Sequence, residues 1–416
     1  MASIVVNGGK SLKGTVNVSG SKNSTLPIMA ACLLTDKECI LHGVPCLEDI
    51  RVMEEVLKKL GAKVKREKDS LIIDPSSVDS WELPEDLTRK MRASNLVMGA
   101  LLGRFKRAKI SYPGGCAIGS RPMDLHIKGF RLLGCQVRED RGYVEAEATG
   151  LEGREILLDF PSVGATENIM MAAVQAKGLT VIRNAAREPE IVDLQNFLNR
   201  MGAKVRGAGL DTIRIEGGGR LSGVQYDVIP DRIEAGTFMV ASAITGGDVL
   251  IENVITEHLE PVIAKLTEMG TGVIRCNGGI RIRAHGKVRP VDIKTLPFPG
   301  FPTDMQPQIM ALLATVEGTS VIVETVFENR FMHVDELRRM GADIRMEGRV
   351  AVIQGKKRLT GAAVEATDLR AGAALVLAGL AAEGETVVKK PFHIDRGYEN
   401  FEGKLKSLGA EIERIE

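Results

Sequence analysis

The sequence predicts an α/β protein of six repeated units, grouped as two domains of three, and three observations carry that reading. A motif of the form Leu-x-x-(Leu/Met)-Gly-(Ala/Cys/Thr)-x-(Val/Ile) recurs at Gly61, Gly134, Gly202, Gly270, Gly341 and Gly409, with spacings of 73, 68, 68, 71 and 68 residues. Ahead of every copy, at fixed phase, stands a helical stretch of small and apolar residues. A third pattern shows how the chain closes on itself. Six copies at one period are the mark of a repeat architecture.

Each element follows from its residues. Leucines three apart and then glycine read as a helix ending in a left-handed cap, after which Val or Ile opens a strand. The copies slip slightly: Phe130 stands for the first leucine of the second, and Gly272-Val273 shifts the fourth. The stretches 26–34, 94–102, 165–176, 235–245, 305–316 and 371–382 are apolar nearly all round, as core helices are. Short strands follow several of them, such as 180–182 and 320–323. The closing pattern runs Ile213-Arg214-Ile215-Glu216-Gly217, then Leu221-Ser222-Gly223, and recurs at 352–355 with 359–361 and at 4–8 with 12–14. The N-terminus thus supplies the piece the last unit lacks. The first domain is expected at 22–229 and the second at 230–416 completed by 1–21, with the two crossings near Ser21 and Ile229 as hinge.

Composition narrows the function. With 55 Lys+Arg against 54 Asp+Glu, the net charge of +1 provides no global field for nucleic acid or an anionic membrane. Aromatics at 4% argue against base-stacking surfaces. The six cysteines form no C-x-x-C pair and no His/Cys cluster at zinc spacing, and His126, His333 and His393 have no partner spacing for a metal. No metal and no cofactor is expected. The start lacks a basic segment followed by an apolar one, and the longest apolar run, 371–382, is 12 residues. The expectation is a cytoplasmic protein with free thiols and no membrane partner.

The chemistry is expected in the segments that do not fit a quiet scaffold. Pro113-Gly114-Gly115-Cys116-Ala117-Ile118-Gly119-Ser120-Arg121-Pro122 sets a thiol among glycines whose exposed N–H groups can cradle an anion, with Arg121 close behind. Charged and polar segments also crowd ahead of the core helices. They include Lys22-Asn23, Arg92, Ser162-Val163-Gly164, Asp231-Arg232, Asp304 and Asp368 to Arg370. Ser, Thr and Asp there are ordinary caps. Lys22, Arg92 and Arg370 are not, because the helix dipole disfavours cations at an N-terminus, and they point to bound anions. The segments 324–333 and 393–398 add further charge and aromatics.

Together these stretches resemble the UDP-N-acetylglucosamine 1-carboxyvinyltransferase family of enolpyruvyl transferases. The resemblance rests on Ser21-Lys22-Asn23, Met91 to Ser94, Pro113 to Pro122, Asp124-Leu125-His126, Ser162 to Thr166, Arg187 to Ile191, Pro230 to Arg232, Phe301 to Gln306, Glu324 to Val334, Asp368 to Arg370 and Asp395 to Tyr398, in order along the chain. It implies two inverse α/β domains, each with pseudo-threefold symmetry, and transfer of enolpyruvyl from phosphoenolpyruvate to the sugar nucleotide in peptidoglycan synthesis. It implies Cys116 as general acid that can also add covalently to phosphoenolpyruvate and is the target of fosfomycin. Asp304 would be base or orienter for the sugar 3-hydroxyl. Lys22, Arg121 and Arg396 would hold the phosphate, with Asn23 beside them, and Arg330 and Arg370 would meet the carboxylate or developing charge. The nucleotide sugar would take Asn23, Arg92, Arg121, Pro122, Met123, Asp124, Leu125, Ser162, Val163, Gly164, Asp304 and Val326. The site would draw on both halves, with the cysteine loop as lid. Two rivals are a 5-enolpyruvylshikimate-3-phosphate synthase, against which Cys116 in its Gly-Gly-Cys loop argues, and a non-catalytic sugar-nucleotide-binding regulator.

Overall fold

The computed structural model describes residues 2–112, 119, 123–284, 286 and 288–416, apart from the side chains of Lys90 and Arg92. These divide into two compact units. Residues 2–19, 119 and 230–416 form one, and 20–112 with 123–229 form the other. Each has its own apolar core, one built from residues between Leu26 and Val228, the other from Ile4 to Val18 with Ile233 to Ile412. The six-unit α/β class expected from the repeats is the class observed.

Six four-stranded sheets repeat one design. In one of them Gly178–Arg183 pairs antiparallel with Thr212–Gly217, which pairs antiparallel with Lys204–Arg206. Glu155–Leu157 adds a parallel edge. Parallel and antiparallel pairing in one sheet is what a helix crossover followed by a hairpin produces. The chain ends close the repeats. Ser3–Asn7 lies between Glu385–Lys389 and Glu411–Ile415, antiparallel to both. Lys13–Asn17 pairs in parallel with Asp248–Glu252, and Gln225–Asp227 with Cys39–His42.

Six helices fill the cores: Lys22–Ala31, Val97–Phe105, Val163–Ala173, Arg232–Ile244, Gln306–Ala314 and Leu369–Ala381. They are sheathed by sheets and amphipathic helices such as Glu48–Lys59 and Pro189–Met201. Three carry a 3₁₀ turn where helix was expected, the first of them at Cys32–Leu34. Residues 92–96 form a 3₁₀ turn rather than helix, because the Asn168 amide takes the Asn95 carbonyl at 3.1 Å and the Gly99 N–H at 2.7 Å. Residues 303–305 do the same, with Pro307 opening the helix proper. The six motif glycines all hold left-handed backbone, with φ from 86° at Gly341 to 111° at Gly202.

The closing pattern has a packing cause. A Cβ at Gly217 would lie 2.2 Å from the Ala176 carbonyl oxygen and 2.3 Å from that of Ala173. At Gly355 it would meet Val316 O at 1.8 Å, and at Gly8 Ala382 O at 2.1 Å. In each case a strand ends against the last carbonyls of a core helix, so close that only hydrogen fits. Gly217→Ala should therefore destabilise by about 2 kcal/mol through overpacking, lowering the melting temperature by roughly 5 °C. Gly150→Ala, with nothing within 4 Å, should leave it unchanged in the same calorimetric comparison.

Candidate active site

In the first unit the core helices Arg232–Ile244, Gln306–Ala314 and Leu369–Ala381 pack against one another. Their starts are built differently. Asp231 caps the first, accepting from the N–H of Ile233 at 2.7 Å and of Glu234 at 3.0 Å. Asp368 caps the third, accepting from Arg370 N at 2.8 Å and Ala371 N at 3.1 Å. No side chain caps the second. The Asp304 carboxylate instead accepts from Arg330 Nη2 at 2.9 Å and from Arg370 Nη2 at 3.1 Å and Nε at 3.3 Å. Both arginine side chains are 1% exposed and that of Asp304 is 26% exposed, so a reachable carboxylate is backed by two buried cations.

That arrangement explains how Arg370 sits in the first turn of a helix. Burial opposes its charge, but Tyr398, Asp304 and Asp231 outweigh burial and hold it protonated. Burial pushes nearby His333 down to about 4, Arg330 adding to the shift and Asp368 opposing it, so the imidazole is neutral at pH 7. Arg330 Nε, Arg370 Nη1 and Asp368 Oδ2 are buried with no hydrogen-bond partner among the described residues. Buried donors without acceptors are costly, and two of the three are guanidinium N–H groups suited to an anion. Glu324 organises the flank. It accepts from Thr295 Oγ1 at 2.8 Å, Thr303 Oγ1 at 2.9 Å and Val326 N at 2.8 Å, tying the turn of Asp304 to the backbone of Val326. Arg396 is half-buried at the end of the short Phe392–Asp395 helix.

In the second unit Lys22 opens its helix, capped by Ser21, which accepts from Ser24 N at 3.3 Å. The ammonium is buried and donates to Asp49 Oδ2 at 3.2 Å. Sequence reasoning took Lys22 and Arg370 as cations awaiting anions. Protein carboxylates meet part of that charge, Asp49 for the one and Asp304 for the other. Asn23 is half-buried in the same first turn. Ser162 caps the Val163–Ala173 helix, accepting from Ala165 N at 3.4 Å, and Val163 and Gly164 follow, half-buried. Met123 is buried, Leu125 half-buried and Asp124 exposed where the Asp124–Leu132 helix begins. Cys116, Arg121 and Pro122 lie outside the described residues, as does the Arg92 side chain.

Two residues given no role in the sequence reading stand out. Asp49 is one, and nothing local in its helix marks it. The other is His126. Asn168 Oδ1 accepts from Gly99, so its amide nitrogen donates to His126 Nδ1 at 3.0 Å. A neutral His126 therefore carries its proton on Nε2. A Cβ at Gly164 would lie 3.6 Å from that nitrogen, so a donor is held beside the end of the Ser162–Gly164 segment. The five described cysteines are free thiols, and no three His, Cys, Asp or Glu among the described residues are grouped to hold a metal.

The profile of the EPSP synthase family, 3-phosphoshikimate 1-carboxyvinyltransferase, matches residues 6–405. The chain belongs to that family. Within it the chain is similar to UDP-N-acetylglucosamine 1-carboxyvinyltransferase 1 of Caldanaerobacter subterraneus, 62% identical over 97% of each protein. It is 60% identical to UDP-N-acetylglucosamine 1-carboxyvinyltransferase 2 of Carboxydothermus hydrogenoformans over 100% of each. Among solved structures, the enolpyruvyl transferase NikO of Streptomyces tendae superposes with a TM-score of 0.90 at 27% identity, covering 100% of this chain and 99% of that one. EPSP synthase of Acinetobacter baumannii shares the fold, with a TM-score of 0.77 at 21% identity and full coverage of both chains.

Close to Asp231 lies a second buried charge. Lys404 Nζ donates to Glu234 and, at 2.7 Å, to Ser19 Oγ, which in turn donates to Glu399 Oε2 at 2.6 Å. Burial raises Glu234 from 4.5 to about 7 against the pull of Lys404. A raised folded value means the proton is held more tightly in the native state. The contribution to stability is full below pH 4.5 and is lost as pH rises through about 7, a swing on the order of 3 kcal/mol. Glu234→Gln, which mimics the protonated form, should gain on the wild type in melting temperature between pH 5 and pH 8. A gap that moves the other way would show that Lys404 overcompensates burial.

Proposed function

We propose that the chain transfers the enolpyruvyl group of phosphoenolpyruvate to the 3-hydroxyl of UDP-N-acetylglucosamine, releasing phosphate, as the first committed step of peptidoglycan synthesis. The observation that carries the chemistry is the Asp304 carboxylate backed by Arg330 and Arg370, each with a buried N–H that finds no acceptor among the described residues. Full-length relatives bearing that activity's name at 62% and 60% identity support the choice of substrate. The shikimate-type reading has behind it the family profile and a shared fold at 21% identity, against full-length relatives of the sugar-nucleotide type at 62% and 60%. The regulator reading has to explain why Lys22, Asp304, Arg330, Arg370 and Arg396 are all retained.

The reaction adds and then eliminates. Cys116 gives a proton to the methylene carbon of phosphoenolpyruvate while the sugar oxygen bonds to its central carbon and Asp304 takes the hydroxyl proton. The tetrahedral intermediate keeps its phosphate until the Cys116 thiolate takes a proton back from the new methyl group, the double bond returns and the C–O bond to phosphate breaks, the proton on Asp304 leaving with the phosphate. Arg330 and Arg370 counter the substrate carboxylate and developing charge, and Lys22, Arg121 and Arg396 counter the phosphate. Asn23, Arg92, Ser162 to Gly164, Arg121 to Leu125 and Val326 bind the nucleotide sugar. Both substrates are small anions, which suits a protein of balanced charge. No described helix is long and apolar enough to cross a membrane, and we place the reaction in the cytoplasm.

Phosphate release from phosphoenolpyruvate should occur with UDP-N-acetylglucosamine and not with shikimate 3-phosphate; the reverse result would overturn the assignment. Asp304→Ala should slow turnover by on the order of a hundredfold, with much weaker effects on sugar-nucleotide binding. Normal turnover would reduce Asp304 to a counter-ion for the two arginines. Fosfomycin should alkylate Cys116 ahead of the other five cysteines. Cys116→Asp, which can still give a proton, should turn over and resist the epoxide, and peptide mapping that puts the label on Cys32 or Cys135 would refute the thiol's role.

A further inference from the structure

Tyr398 touches the starts of all three core helices of the first unit. It is 2% exposed and follows the Arg396-Gly397 turn. Its hydroxyl lies 3.0 Å from Thr237 Oγ1, on the Arg232–Ile244 helix, and accepts from Gln308 Nε2, on the Gln306–Ala314 helix, at 3.0 Å. Arg370, on the Leu369–Ala381 helix, places its Cζ 5.2 Å from the centre of the tyrosine ring.

Hydrogen-bond directions in this cluster follow from counting protons. Thr237 donates its one hydroxyl proton to Ile233 O at 2.7 Å. The 3.0 Å contact can then be made only by Tyr398 donating to Thr237. Gln308 Nε2, with two protons, donates to Tyr398 OH and to Thr237 Oγ1 at 3.1 Å. Each proton has one acceptor, so the network has a single sense. The hydroxyl is pinned from two helices, and that fixes the plane of the ring on which the third helix rests its guanidinium. A cation over an aromatic face in a water-free place is held more firmly than at the surface.

Arg370 is in turn one of the two cations on Asp304. We infer that Tyr398 is a positioning residue for the transfer reaction: held by Thr237 and Gln308, its ring sets the Arg370 guanidinium on Asp304. The inference rests on the proposed enolpyruvyl transfer only for what the positioned group then does. Tyr398 also packs on Phe401 at 4.8 Å between ring centres, which makes a purely structural role the rival explanation.

The rival is separated by two variants and two readouts. Tyr398→Phe keeps the ring and its packing but removes the anchor, and Thr237→Val loosens the anchor without touching Tyr398 or Arg370. Both should lower kcat by about tenfold, the scale for losing one buried hydrogen bond in a network, at a temperature where both proteins are fully folded. The KM for the sugar nucleotide should stay within about twofold. The second readout needs no substrate: the Arg370 side-chain Nε–H resonance, assigned with Arg370→Lys, should shift and exchange faster with water in both variants. Unchanged kcat together with an unchanged Arg370 resonance, even with a lower melting temperature, would overturn the inference. If the wild type fails to release phosphate while the resonance still moves, the proposed reaction falls and the positioning stands.

Discussion

Two guanidinium groups buried to 1% cannot remain in a protein interior without a counter-charge, and Asp304 is that counter-charge. Its carboxylate stands on a tight turn rather than in a helix, and the Glu324 carboxylate sets that turn against the Val326 segment. Arg330 and Arg370 arrive from separate repeats. Removing Asp304 leaves two buried cations without the carboxylate they share, a cost of several kcal/mol. The arrangement is therefore fixed before any substrate arrives, which is what charge stabilisation in a transition state requires.

The repeat architecture makes such a site cheap to build. Three core helices packed by the same rule bring three N-termini together at one end of a unit, each with unsatisfied N–H groups and the positive end of a dipole. Asp231 and Asp368 use that field as caps, and Asp304 serves the arginines instead. One position in a threefold frame has thus been released from capping to pair with two buried arginines. The second unit handles the same problem with neutral groups: Ser21 and Ser162 cap, and Asn168 satisfies the backbone of a neighbouring helix.

Much of this was legible in the sequence because it depends on backbone. The motif glycines marked helix ends through their left-handed conformation, and the closing pattern marked strands ending against helix carbonyls, as Gly217 and Gly355 do. Arg370 was singled out because a cation at a helix start is anomalous, while Asp304 and Arg330 were named through the family resemblance. Asp49, His126 and Tyr398 were given no role in it. Asp49 and His126 lie in amphipathic helices where a polar residue is ordinary, and their importance comes from partners 27 and 42 positions away. Tyr398 was noted only as the end of the charged and aromatic segment 393–398. The bounds of the 94–102 stretch failed for the same reason, since Asn168, far along the chain, competes for its backbone.

The placement of Ser3–Asn7 between Glu385–Lys389 and Glu411–Ile415 bears on biosynthesis. A ribosome adding about 5–20 residues per second makes the first strand tens of seconds before both partners exist. The unit spanning 20–229 is by then complete and can fold while the strand ahead of it waits unpaired. An exposed strand with the sequence Ser-Ile-Val-Val-Asn is a template for pairing with another chain. During synthesis, then, this strand needs a chaperone's cover until Glu385–Lys389 and Glu411–Ile415 have been made and can retire the hazard.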